Sequence, residues 1–301
     1  MPSFRAAPVR VRVPATSANL GPGFDTAGLA LALYDDVVVR IADSGLVVDV
    51  AGEGADDLPR DRRHLVVKAL RATFDALGGQ PRGLEIVCAN RIPQSRGLGS
   101  SSAAICAAVL AARALVLGGE DTLDDDAALD LATRLEGHPD NVAACLRGGL
   151  TFAWMSGATA RVARVDVHPD VAPVAFIPSS RASTKKVRGM LPETVPHADA
   201  ASNSARTALL ALALTRTPAL LLDATEDYLH QSYRAEAMPR SAALVRQLRA
   251  DGVAAVVSGA GPTVLALATR ATVDAVAARH PRAWDVVALP VDAAGAQVLP
   301  L

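Results

Sequence analysis

The sequence predicts an α+β fold in two lobes. Three observations carry this expectation. Short strand-like runs and longer alanine- and leucine-rich runs of helical character follow one another irregularly, not as a β-α-β-α series. No internal repeat and no low-complexity linker interrupts them. Beyond about residue 155 the pattern restarts, which divides the 301 residues into an N-terminal lobe, 1–155, and a C-terminal lobe, 156–301.

In chain order, "VRVRV" (9–13) alternates valine with arginine, the mark of a half-buried strand. "ALALYDDVVVRI" (30–41) and "LVVDV" (46–50) continue as strands. Asp61 is placed to N-cap a helix through "HLVVKALRATFDALGG", which closes at Gly78 and Gly79. "LEIVC" (84–88) is a further strand. "AAICAAVLAARALVL" (103–117) is too long and alanine-rich for a strand and reads as a buried helix. The acids of "DTLDDD" (121–126) are consecutive, not on one face. They suit capping and dipole compensation of the following helix better than a metal site.

In the second half "ARVDV" (163–167) and "PVAFI" (173–177) read as strands, and 204–216 and 218–230 as helices divided by Pro218. A helix at 238–250, strands at 253–257 and 263–267, a helix at 272–280 and a strand at 284–291 complete the chain.

Composition narrows the function. The formal charge of −1 offers no basic excess for a general nucleic-acid binder. The longest apolar stretches, 103–112 and 207–215, end at Arg113 and Arg216 and are too short to span a bilayer; the N-terminus lacks a signal-peptide core. The three cysteines show no C-x-x-C spacing. Cys88 and Cys106 lie in apolar runs and are expected as buried thiols in a reducing, cytoplasmic setting. Lysine occurs only at positions 68, 185 and 186, so a lysine-dependent mechanism has few candidates.

"PQSRGLGSSSAA" (93–104) has the makings of a phosphate cradle without the lysine of a Walker loop. Gly97 and Gly99 permit close backbone approach. Ser100, Ser101 and Ser102 start a helix whose open N–H groups and partial positive charge suit an anion. A capped helix after a glycine turn fits the same residues. "PATSANLGPGFD" (14–25) reads as a polar loop after the first strand, and "SGAGPTVLAL" (258–267) as a glycine turn between apolar strands.

Together with "GLGSSSAA" these segments resemble, in order, the three signature motifs of the GHMP kinases, a family of small-molecule kinases. Within it, "EGHPDNVAACLRGGLT", "STKKVRGMLP" and "DYLHQSYRAEAMP" look like the homoserine kinases. The resemblance implies a two-lobed fold. Its N-terminal lobe would be ribosomal-protein-S5-domain-2-like and its C-terminal lobe ferredoxin-like α+β. It implies ATP and Mg²⁺ as cofactors, L-homoserine as the phosphate acceptor, a step in threonine biosynthesis, and a homodimer. A kinase for mevalonate or a sugar is the nearest enzyme alternative, and a non-catalytic nucleotide or threonine sensor the nearest non-enzyme.

By the same resemblance, Pro93, Gly97, Leu98, Gly99, Ser100, Ser101, Ser102 and Ala103 bind the nucleotide. Ser101 and Glu136 are the metal ligands, and with Asn141 they form the catalytic set. Asn19, Asp25, Thr184, Arg188, Arg234 and Gly259 bind the substrate, the two arginines taking its carboxylate and Asp25 its ammonium. Ser102 stands where the family more often has alanine. Arg96 brings a charge beside the phosphates, to assist them or to face solvent. His138, next to Pro139, is expected to shape a turn, not to act as general base.

Overall fold

A computed structural model of the chain describes residues 2–182 and 187–300. Strand β1 (Val9–Asn19) begins with the expected alternation: Val9, Val11 and Val13 are buried, while Arg10 and Arg12 face outward onto Asp36. It runs six residues beyond that alternation, to Asn19. The first motif is therefore not a loop but the end of β1, a turn at residues 20–22, and the start of β2 (Gly23–Ala42). Thr16 and Ser17 are fully buried, and it is this burial of polar residues that composition disguises as a solvated loop.

The long strand β2 divides its partners. Its C-terminal half pairs with β4 (Gly83–Asn90) and its N-terminal half with β5 (Leu150–Ser156). β3 (Gly45–Gly52) lies parallel to β4, and β6 (Thr159–Val165) pairs with β5. The expected division after residue 155 thus falls inside the β5–β6 hairpin, whose turn at Gly157 produces the restart seen in the sequence. A second, four-stranded antiparallel sheet follows: β7 (Val171–Pro178), β8 (Ala255–Val257), β9 (Val264–Thr269) and β10 (Trp284–Ala288), ordered β10-β7-β9-β8. The chain then returns to the first sheet, where β11 (Gln297–Leu299) pairs antiparallel with β1.

Helices α1 (Leu65–Ala76), α2 (Ser100–Leu115), α3 (Gly119–Thr122), α4 (Asp125–Glu136) and α5 (Asp140–Arg147) belong to the first lobe. Most of α2 is buried, from Ala103 to Ala112 with the single half-buried exception of Ala104. Small alanine side chains let neighbouring elements approach its backbone closely. Cys88, Cys106 and Cys145 are all buried thiols. Asp124 N-caps α4 through the Ala127 N–H, with Asp125 and Asp126 in the first turn, as the acidic cluster predicts.

Two local expectations fail. α1 is capped by His64, whose Nδ1 accepts from the Val66 N–H; Asp61 instead accepts from the Arg63 N–H one turn earlier. The helix predicted over 218–230 stops early. A 3₁₀ turn (Pro218–Leu220) leads into the short α7 (Leu221–Ala224), after α6 (His197–Thr215). The Asp227 carboxylate then accepts from the N–H groups of Leu229, His230 and Gln231, which starts the separate α8 (Gln231–Arg234). α9 (Pro239–Ala250) and α10 (Val273–Ala277) pack on the second sheet. Among the described residues no helix is long and apolar enough to cross a membrane.

Candidate active site

The two lobes meet where the three glycine motifs converge. Gly97 and Gly99 both hold positive φ, +80° and +71°, and Gly99 precedes α2 without any side-chain cap. The Ala103 N–H closes the first helical bond onto Gly99, so the N–H groups of Ser100, Ser101 and Ser102 remain open at the entrance of a 16-residue helix. No acid lies in that first turn. A Cβ on Gly99 would stand 1.9 Å from Thr16 Oγ1, and one on Gly97 2.2 Å from the Ser258 carbonyl. Gly99→Ala is therefore expected to lower Tm by several degrees, on the order of 2 kcal/mol, and to raise the KM for ATP about tenfold. Thermal unfolding and an ATP titration check both.

The "SGAGP" turn closes over this loop from the second lobe. Ser258 Oγ lies 2.6 Å from the Gly97 carbonyl, the Thr263 N–H donates to Arg96, and the Gly259 N–H donates to Ala18. Arg96 itself is half-buried and does not line the cleft. Its guanidinium donates to the carbonyls of Gln94, Pro178 and Ser179, tying the loop to the end of β7. Leu98 is a core residue, and Pro93, Leu98 and Ser102 do not line the cleft; the other members of the predicted nucleotide set do.

Ser101 and Ser102 both donate to one oxygen of Glu136, at 2.6 and 2.8 Å. Glu136 is the last residue of α4, placed there by Gly137 in the left-handed conformation. Ser102 thus gains a partner that alanine would not have. Asn141, at the start of α5, accepts from the buried Thr16 hydroxyl at 2.7 Å. Its neighbour Asp140 is buried, and one oxygen accepts from the Asn141 N–H and faces His138 Nδ1 at 3.0 Å. That carboxylate raises the pKa of His138 against the opposing effect of burial.

Across the same cleft, Asp25 and Arg188 form an ion pair. Arg234 is 4 % exposed, and its Nε has no hydrogen-bond partner among the described residues. Burial, then repulsion from Arg188, lowers its pKa. The Phe24 ring faces both guanidinium groups, its centroid 5.6 Å from Arg188 Cζ and 5.2 Å from Arg234 Cζ. Asn19 is more committed than expected: its carbonyl accepts from the Asp25 N–H and its amide donates to Gly259, so it pins motif to motif. Thr184 lies outside the described residues.

One cleft joins these groups, with Asn19, Asp25, Ser101, Glu136, Asn141 and Arg234 on its walls. Its far end holds Asp35, whose carboxylate accepts from the N–H groups of Arg91 and Ile92 just before the glycine loop. Burial pushes the Asp35 carboxyl up to about 6, against the pull of those N–H groups. The native state then holds the proton more tightly than the unfolded chain. This contribution is complete at about pH 4 and is lost as pH rises through 6. Asp35→Asn keeps an acceptor and removes the titration. Its stability advantage over the parent should grow by on the order of 2 kcal/mol between pH 4 and 7 in denaturant unfolding.

The sequence carries two family signatures over this architecture. The GHMP kinases N terminal domain matches residues 64–149, and the GHMP kinases C terminal domain matches residues 206–286. A homoserine kinase of Streptomyces avermitilis is 65% identical over 300 residues, covering 100% of this chain and 98% of that protein. The chain belongs to the homoserine kinases of the GHMP kinase family. The homoserine kinase of Streptomyces coelicolor is 64% identical over 300 residues, 100% of this chain and 97% of that protein. In fold, the chain matches the crystal structure of homoserine kinase from Cytophaga hutchinsonii. The TM-score is 0.80 with 99% of both chains covered, at 24% sequence identity.

This GHMP kinase site contains residues that sequence reading passed over. Thr16, Ser17 and Phe24 sit inside the first motif, Asp140 inside "EGHPDN" and His230 inside "DYLHQ". Each lay in a quoted segment, but only packing shows which polar side chain faces another. Asp35 had a signal of its own: paired acids inside an apolar strand run.

Proposed function

We infer that the chain transfers the γ-phosphoryl group of ATP to the side-chain hydroxyl of L-homoserine, giving O-phospho-L-homoserine in threonine biosynthesis. The observation that carries this reading is the pairing, in one cleft, of an uncapped helix entrance with two arginines and an aspartate. The first suits a triphosphate; the second suits the carboxylate and ammonium of an amino acid. Mevalonate has no ammonium to meet Asp25.

Position in the cleft and family likeness together support the following roles. The open N–H groups of α2 and the hydroxyls of Ser100 and Ser101 hold phosphate oxygens. The donor set at Ser101 and Glu136 fits Mg²⁺: hard oxygens, one carboxylate, and two hydroxyls already turned toward it. Bound there, magnesium supplies charge neutralisation for the phosphates. Arg188 and Arg234 take the substrate carboxylate, Asp25 its ammonium, and Asn19 and Gly259 shape the pocket around them. For Thr184, outside the described residues, only the family resemblance suggests a hydrogen bond to the substrate.

Asn141 can orient the attacking hydroxyl but cannot take its proton. His138 is tied through its Nδ1 to the Asp140 carboxylate, in keeping with a turn-shaping role. We therefore propose that, as the substrate oxygen bonds to the γ-phosphorus and ADP departs, the hydroxyl proton passes to an oxygen of the transferred phosphoryl group itself. A pH–rate profile with a single essential base near neutrality, abolished by changing His138, would refute this. Family likeness also favours a homodimeric, cytoplasmic enzyme.

The deciding experiment supplies purified protein with ATP, Mg²⁺ and a panel of small alcohols, among them L-homoserine, mevalonate and galactose, and follows ADP release. L-Homoserine should give the highest kcat/KM by a wide margin. No turnover with any alcohol, or preference for mevalonate or the sugar, overturns the reading.

A further inference from the structure

Behind the arginines runs a buried relay that the phosphoryl transfer does not use. His230 is 0 % exposed and stands between the first-motif hairpin and Arg234. Its Nε2 lies 2.8 Å from the Gly21 carbonyl, and its Nδ1 lies 3.2 Å from Arg234 Nη1. A carbonyl only accepts and a guanidinium only donates. The imidazole therefore carries its proton on Nε2 and presents a lone pair on Nδ1. Burial of the ring opposes a second proton.

The neighbours leave the ring little freedom. Phe24 stacks on it, centroids 5.1 Å apart and planes 28° apart, and the same Phe24 ring lies beneath both guanidinium groups. Gly21 is fixed in turn: its φ is +86°, and a Cβ there would stand 2.6 Å from the Thr225 carbonyl. Arg234 spends one N–H on His230, while its Nε finds no acceptor among the described residues. A buried guanidinium held from behind at one nitrogen has its remaining donors oriented in advance.

We propose that His230 is a positioning residue that sets the affinity for the substrate carboxylate: its Nδ1 fixes the Arg234 fork, and its Nε2–H anchors that geometry to the Gly21 turn. The proposal rests on the assignment of Arg234 to the carboxylate.

His230→Phe keeps the ring and its stack on Phe24 but removes both hydrogen bonds, while His230→Asn returns an acceptor close to the Nδ1 position. Both are assayed with L-homoserine and with 3-amino-1-propanol, which has the same hydroxyl and amine but no carboxylate. His230→Phe is expected to raise the KM for L-homoserine about tenfold, with kcat and the KM for ATP within about twofold. kcat/KM for 3-amino-1-propanol should not change, and His230→Asn should recover most of the loss. A parallel fall for both alcohols, or an unchanged KM for L-homoserine, overturns the proposal.

A second measurement needs no variant. Nitrogen-15 NMR of the imidazoles in the unmodified protein should show His230 as the neutral Nε2–H tautomer at pH 7. The Nδ1–H tautomer or an imidazolium would contradict the relay. Should the unmodified protein instead prefer another alcohol, the functional reading fails, while the tautomer still reports on the relay.

Discussion

Replacing Glu136 by alanine is expected to lower kcat at least about a hundredfold while leaving the fold intact. The carboxylate accepts from both Ser101 and Ser102 at the helix entrance, so its removal would strip the proposed magnesium site of its carboxylate. Neutralisation of the triphosphate by Mg²⁺ then depends on hydroxyls and water alone. The Mg²⁺ concentration for half-maximal rate should rise in step. Because Glu136 is the last residue of its helix and only half-buried, with the turn set by Gly137, Tm should change little. Steady-state rates over a magnesium titration, with a melting curve, check all three parts. Undiminished turnover at saturating magnesium would remove Glu136 from the metal site.

Arg234→Leu should raise the KM for L-homoserine roughly a hundredfold, about 3 kcal/mol, and leave the KM for ATP within a few-fold. The guanidinium is buried, and its nearest contacts are a neutral imidazole and an aromatic face. Among the described residues no carboxylate contacts it, so its burial is uncompensated until the proposed substrate carboxylate arrives. Leucine relieves that cost, so the unliganded variant should melt no lower than the parent. A combined result of weaker homoserine binding and undiminished Tm would separate a binding arginine from a structural one. Equal increases in both KM values would count against the assignment.

Much of this was legible in the sequence, for identifiable reasons. The β1 alternation and the alanine-rich α2 follow from local pattern, and both stand as read. The first motif reads as a polar loop but is strand and turn, because Thr16 spends its hydroxyl on Asn141 within the first lobe while Ser17 and Asn19 meet Ser258 and Gly259 of the second. Asp61 lost its capping role to a histidine whose ring nitrogen serves equally well as acceptor. The expected helix over 218–230 gave way to Asp227, a competitor for backbone N–H groups that propensity alone does not rank. Family resemblance supplied Glu136, Asp25 and Arg234 individually. It could not supply the hydrogen bonds among them, nor the tether of Arg96 to carbonyls more than 80 residues away.

The return of β11 to β1 bears on how the protein is made. On the ribosome, residues 9–19 emerge early, yet the neighbour that completes that border of the sheet is residues 297–299. Preceding residues follow the same route home: Asp292 accepts from the Tyr34 hydroxyl, and the Ala296 N–H donates to Cys145. The nascent chain therefore carries an unpaired β1 border until residues 297–299 have been made, a template for mispairing with other chains. Replacing Val298 by proline, which breaks the pairing of β11 with β1, should reduce soluble yield in cells without touching any group proposed to handle phosphate.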